Sequence, residues 1–185
     1  IILHSPLLSP NKFYNLKHLN RPGYTSADIT LCYDPATGLE QAIRNVVQQA
    51  EDAARAGKLI LFISERMPEQ GKLVINALLA TAAIHHRLSV LGLRCDTNLV
   101  VETGSARDPH QIACLVGYGA TAVYPYLSYD VIDRMIGTGM LKMGAMEAQK
   151  NYRKGINKGL MKITSKMGIS TISSYRGAQL FEIVG

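Results

Sequence analysis

Two short runs limit what this chain can fold into. LILFISER at 59–66 and TNLVVE at 97–102 are apolar residue after residue instead of alternately. A strand with one solvated face alternates; a run apolar throughout is covered on both faces, as in a parallel sheet flanked by helices. Between the two lies LVINALLATAAIHHRLSVLG (73–92), of helical length and closed by Gly92. Before them, in 34–58, Leu39, Ile43, Val46, Val47 and Ala50 recur at helical spacing. Strand and helix in alternation imply parallel βα units with right-handed crossovers.

Local signals continue this rhythm. ADITLCY (27–33) reads as a first strand. Thr37 and Glu40 form a capping box for a helix that Gly57 ends. Asp108, Pro109 and Gln111 open another helix, with an N-cap, a proline at the first position and a Gln at the third. ATAVYPYL (120–127) is a fourth strand, and Ser128 is placed to cap the helix YDVIDRMI (129–136). After a Gly- and Met-rich break, a long helix covers 147–167, Gly168 stops it, and ISTISSY (169–175) begins a last extended piece. Residues 1–26 form an irregular lead-in, in which Ser9 and Pro10 open a short helix.

With 185 residues, 47% of them hydrophobic, the chain suits one domain with a sizeable core. No apolar run approaches the roughly 18 residues that span a bilayer. IILHSPLLSP has no basic region and is broken by Pro6, so the start reads as a segment of a longer chain and not as a signal peptide. Cys32, Cys95 and Cys114 are odd in number and far apart, which fits a reducing compartment. No Cys-x-x-Cys pair suggests a zinc or iron–sulfur site within the chain. The net charge of +6 is local: Lys150, Arg153, Lys154, Lys158, Lys162 and Lys166 account for all of it, with no acid between 150 and 166.

In a parallel α/β domain, residues just past the strand C-termini line the functional face. Here these are Asp34, Glu65 with Arg66, Glu102 with Arg107, and Tyr126. Together they could bind a charged substrate, or cap helices and pair with one another; Asp34 and Asp108 already stand at capping positions. Arg107 is expected to pair with Glu102 or Glu65. GYGATA (117–122) matches a loose dinucleotide pattern but follows a helix and precedes a strand, the reverse of what phosphate binding at a helix N-terminus needs. His85 and His86 point about 100° apart on a helix, so they cannot share a metal. His86 falls on the stripe Ile75, Leu79, Ala82 and is expected to face the core. Lys154, Lys158, Lys162 and Lys166 form one stripe of an amphipathic helix, with Ile156, Leu160, Ile163 and Met167 on another and Gly155 and Gly159 allowing close approach. With Tyr152 as their sole aromatic neighbour, the lysines read as a solvated or protein-facing surface, not a nucleic-acid site.

LRCDTNLVVETGSARDPHQIACLVGYGATAVYPYL (93–127) and NYRKGINKGLMKITSKMGISTISSYRGAQLFEIVG (151–185) resemble the central domain of the glutamate synthase large subunit. HSPLLSP and LILFISER fit as well, and the wording is most similar to the bacterial, NADPH-dependent type. The resemblance implies an incomplete, rudimentary TIM-barrel-like domain related to FMN-linked barrels. It implies that 1–185 is the C-terminal part of that domain, with 147–185 leading towards an FMN domain. In the whole enzyme, glutamine is hydrolysed in an N-terminal glutaminase domain. The ammonia crosses a tunnel to a site with FMN and a 3Fe–4S cluster and becomes glutamate with 2-oxoglutarate; a small subunit oxidises NADPH. The resemblance makes this chain a connector that helps wall the tunnel, in the cytoplasm, with neither nucleic acid nor membrane as partner. It holds no catalytic residue and no cofactor of its own. The candidate top-face or tunnel-side residues are Glu65, Arg66, Glu102, Arg107, Ser173 and Tyr175. The alternative from the residues alone is a free-standing anion-binding α/β module using Arg107, His110 and the lysine stripe.

Overall fold

The computed structural model describes residues 3–66, 70–178 and 180–181. The first two residues of the lead-in and the tail's Gln179 and 182–185 lie outside these. In chain order the elements are α1 (Pro10–Lys17), β1 (Ser26–Thr30), β2 (Cys32–Tyr33), α2 (Leu39–Arg55), β3 (Ile60–Ser64), β4 (Leu73–Val74) and α3 (Ala77–Val90). Then follow β5 (Asn98–Glu102), α4 (Pro109–Gly117), β6 (Ala122–Tyr124), α5 (Tyr126–Gly137), α6 (Ala145–Lys166) and α7 (Ile172–Tyr175). Strands β1, β3, β5 and β6 form one parallel sheet in that order, each joined to the next through one helix, so the βα rhythm is realised as expected. Beyond β6 the lead-in adds a parallel bridge at Leu7, with Leu8 N donating to Val123 O (2.9 Å) and Val123 N to Pro6 O (2.7 Å).

The sheet is covered on both faces. Leu61, Ile63, Leu99, Val101 and Val123 join the core formed with α2, α3, α4 and α6. Their neighbours Ile60, Phe62, Val100, Ala122 and Tyr124 face the other way, as the period of two requires, and pack with Leu8, Phe13 and Tyr129. Phe13 of α1 stacks on Tyr124 at 4.3 Å and meets Phe62 edge-on at 5.6 Å. In a closed barrel this inner face would meet further strands; here α1 fills it. Glu51 ties α2 to α3 by accepting from Arg55 and Arg87, each at 2.9 Å.

Several boundaries differ from expectation, each for a local reason. Thr37 and Glu40 form no capping box. Asp34 caps a 3-10 turn at Pro35–Thr37, and Gly38, at φ +75°, redirects the chain into α2. ADITLCY divides at Leu31, because Cys32–Tyr33 leave the sheet to pair antiparallel with Leu73–Val74. That pairing takes the first residues expected in α3, which starts at Ala77 behind the N-cap Asn76. ATAVYPYL stops at Tyr124, since Pro125 cannot continue the ladder, and α5 begins at Tyr126 with Ser128 already inside its first turn. ISTISSY is not extended; Ile172–Tyr175 makes one helical turn. The buried stripe of α3 is Ala77, Ala80, Thr81, Ile84 and Leu88, so His86 is exposed and His85 turns inward. The Ser9, Gly57, Gly92 and Gly168 punctuation stands where it was expected. Gly159 of α6 seats the Pro109 ring, whereas nothing approaches Gly155.

Helix α4 opens on a full capping box: Asp108 accepts from Gln111 N (2.9 Å), and the Gln111 side chain accepts from the backbone of Arg107 (2.9 Å) and Asp108 (3.4 Å). Asp108→Ala is expected to lower stability by about 1 kcal/mol. The check is the urea midpoint at unchanged slope; an unmoved midpoint would show that the box contributes nothing.

Candidate functional site

The C-terminal ends of the strands bring Thr30, Ser64, Glu102 and Tyr124 into one row across the sheet. Ser64, Glu102 and Tyr124 lie on the inner face, two residues on from Phe62, Val100 and Ala122. Glu102 is 4% exposed, and its charge is answered locally. Ser64 Oγ donates to one carboxylate oxygen (2.7 Å) and Arg66 Nε to the other (2.5 Å). The Arg66 guanidinium lies 4.1 Å from the centre of the Tyr126 ring, a cation–π contact. Burial works against the Arg66 charge, but the hydrogen bond and charge of Glu102, with Asp130 beyond, outweigh it and hold the group above its ordinary pKa. Burial likewise raises the phenols of Tyr124 and Tyr126, although Arg66 opposes it. Both stay protonated at neutral pH.

Glu65, one residue on, points through the other face. One of its oxygens accepts from Ala77 N (2.7 Å) at the start of α3. The other accepts from Thr103 Oγ1 (2.6 Å), Gly104 N (2.7 Å) and Ser105 N (3.0 Å). Ser105 Oγ lies within 2.9 and 3.1 Å of the two. The carboxylate therefore joins the end of β3, the first turn of α3 and the loop after β5.

The remaining candidates lie apart from this rim. Arg107 does not pair with Glu102 or Glu65. It is exposed, with its carbonyl accepting from Tyr152 Oη (3.0 Å), and Arg66 takes the partner foreseen for it, because residues 64, 66 and 102 converge while the capping box turns 107 outward. Tyr175 packs against Gly117, at the end of α4 and hence near the opposite end of the strands. Its hydroxyl is buried without a hydrogen-bond partner, and burial pushes its pKa up to about 12. Ser173 is exposed, its hydroxyl directed to Thr171. Ser64, Thr103, Ser105 and Tyr124 were missed from the sequence. A polar Ser64 in phase with Phe62 was the one signal for them.

The arrangement binds its own polar groups: Glu65, Glu102, Ser64 and Thr103 all have partners within the chain. The inner face does not have the open floor that a flavin needs, since Phe13, Tyr124 and Tyr129 fill it with stacked rings and the Arg66–Glu102 pair closes its end. Among the described residues no His, Cys, Asp and Glu group is arranged to hold a metal ion, and no helix is long and apolar enough to cross a membrane. Because both Glu65 oxygens face backbone N–H groups, an amide cannot replace the carboxylate in either orientation. Glu65→Gln is expected to cost about 2 kcal/mol or more, read as a lowered urea midpoint. A variant as stable as the parent would refute this account of the cage.

Comparison with known proteins agrees with this geometry. The model of the glutamate synthase central domain matches residues 1–185. The chain is 40% identical over its full length to the NADPH glutamate synthase large chain of Bacillus subtilis, of which it spans 12%. It is 36% identical to the NADH glutamate synthase of Saccharomyces cerevisiae, spanning 9%, and 37% identical to the chloroplastic ferredoxin-dependent glutamate synthase of Spinacia oleracea, spanning 12%, again over its full length. The fold is shared with flavocytochrome b2. A structure with sulfite bound (TM-score 0.58, 10% identity) and one with benzoylformate (TM-score 0.59, 12% identity) each cover 96% of this chain, which spans 42% of theirs. The four parallel strands thus have the fold of part of such a barrel, and the chain belongs to the glutamate synthase central-domain family.

Proposed function

We propose that this domain is the scaffold of a glutamate synthase large chain, which turns glutamine, 2-oxoglutarate and reductant into glutamate, and that it performs no bond-making step itself. The observation that carries the reading is the closed rim. At the strand ends where related barrels do chemistry, both oxygens of Glu65 and of Glu102 accept from serine, threonine, arginine or backbone donors of the chain itself. Groups engaged in this way fix geometry. On this reading FMN and a 3Fe–4S cluster sit elsewhere in the intact chain, and a glutaminase domain precedes this one. Residues 147–185 lead towards the FMN domain, and the rim with Glu65, Arg66 and Glu102 borders the ammonia path, while Arg107 stands outside it at the start of α4. Ser173 and Tyr175 belong to the opposite end and support the fold.

The relatives support a place away from the entry of electrons, since chains named for NADPH, NADH and ferredoxin all carry this domain. A small NADPH-oxidising subunit and the cytoplasm follow if the chain is of the bacterial type, in keeping with three unpaired cysteines. The lysine stripe of α6 then meets protein or solvent, not nucleic acid. A free-standing module built on Arg107 and His110 has less support: Arg107 stands exposed at the start of α4, and His110 lies edge-on to Phe181.

The test is made in the intact enzyme. Arg66→Ala is expected to leave glutaminase chemistry and ammonia-dependent glutamate formation in place while raising the ratio of glutamine hydrolysed to 2-oxoglutarate consumed. Collapse of ammonia-dependent synthesis at an unchanged ratio would make the rim part of the reductive site and end the scaffold reading. In a second test, the 185-residue piece is expected to be colourless after dialysis. A retained flavin band would contradict the filled inner face.

A further inference from the structure

At the end of the sheet opposite the rim, three cationic or protonatable side chains gather. Arg94 follows α3, and its guanidinium donates to Thr97 O (2.7 Å), Gly119 O (2.6 Å) and His85 Nδ1 (2.9 Å). Accepting at Nδ1, His85 is the tautomer protonated at Nε2. Its ring is held between two glycines: a side chain on Gly119 would collide with it, and one on Gly177 would come within 2.8 Å of Nε2. Arg176, next to Gly177, reaches Thr121 Oγ1 at 3.4 Å, a long bond that leaves most of its donors free. Thr97 is buried, and its hydroxyl has no hydrogen-bond partner.

Two arginines side by side repel, and burying them adds a desolvation cost. Burial, with the Arg176 charge second, lowers Arg94 to about 10, and burial followed by the charges of Arg94 and Arg176 lowers His85. Elsewhere in the molecule half-buried guanidiniums meet carboxylates, Arg66 with Glu102 and Arg87 with Glu51. Among the described residues neither Arg94 nor Arg176 has an ion pair. Beside Thr121 opens a cleft of about 270 Å³ lined by Leu3, His4, Ser5, Pro6, Thr121 and Ile172. That is room for a small tetrahedral ion; the Ser5 hydroxyl in its wall already donates to Asn157 (2.7 Å), but Thr121 Oγ1 accepts, from Leu99 N and Arg176, and keeps its hydrogen to give.

We propose that this end of the sheet binds a small oxyanion of the phosphate or sulfate type. The Thr121 hydroxyl, which lines the cleft, contacts it; Arg176, which reaches Thr121 from beside the cleft, turns to meet it; and Arg94, fixed by two carbonyls and His85, supplies positive potential from behind. The site lies at the N-terminal ends of β5 and β6, far from the rim, and owes nothing to the lysine stripe. Its role is to lock the α7 segment against the sheet, since Arg176 and Gly177 lie on that segment.

Hydrogen exchange of the intact large chain tests this, with inorganic phosphate compared with chloride at equal ionic strength. Phosphate is expected to slow exchange in segments 119–122 and 173–178. The slowing should vanish in Arg176→Gln and persist in Lys162→Gln on the exposed stripe. Equal exchange in the two salts would overturn the proposal, as would protection that survives Arg176→Gln or is lost in Lys162→Gln. Arg94→Gln is the less decisive variant, since it also strands two carbonyls.

Discussion

The carboxylate of Glu65 is the point through which the upper half of the domain is tied together. It sits one residue past β3, where the ladder has ended but Glu65 N still donates to Glu102 O at 2.9 Å. From there it accepts backbone hydrogens from two segments that are distant in sequence, the first turn of α3 and the loop after β5. A helix N-terminus carries unpaired N–H groups and a partial positive charge, so a carboxylate placed there is favoured on both counts. At 7% exposure the charge would be costly without these donors; with them, it fixes the entry of α3 and the path of the loop at once.

The two acids at neighbouring strand ends are solutions to the same problem on opposite faces. Glu102 stands on the inner face and takes side-chain donors, Ser64 and Arg66. Glu65 stands on the helix side and takes mostly backbone donors. The period of two in a strand decides which is which.

The βα rhythm, the buried strands and the caps at Ser9 and Asp108 were legible because each rests on neighbours in the chain: an unbroken apolar run, a proline at the first helical position, a glycine past the last. The errors arose where distant residues decided. Leu73 and Val74 look helical until Cys32 and Tyr33 take their hydrogen bonds. His86 was placed on the core stripe because that stripe was phased from Ile75, but Asn76 starts the helix later and rotates the face to His85. At the site, Glu65 and Glu102 were visible as strand ends. Their partners were not, because Arg66 and Arg107 are equally plausible donors until the capping box is seen to turn Arg107 away. Tyr175 lies at the other end of the sheet, and no local signal in ISTISSY reports that.

An incomplete barrel must still cover the inner face that missing strands would have covered. Here α1 does so with one large ring: Phe13 occupies the space over Phe62 and Tyr124, and Tyr129 stacks behind at 5.7 Å with its hydroxyl donating to Leu8 O (2.8 Å). Lys17 holds the helix in place from its last turn, pairing with Asp28 at 3.0 Å and lying 5.7 Å from the Phe62 ring centre. The lead-in meanwhile pairs with β6 through Leu7 and Leu8, so one segment of about ten residues both extends the sheet and delivers its cover. The ring covers this face at Phe62 and Tyr124, while towards the other strand ends Ile60, Val100 and Ala122 line a small cavity of about 140 Å³. The lead-in and α1 thus stand on the inner face where a closed barrel would place further strands.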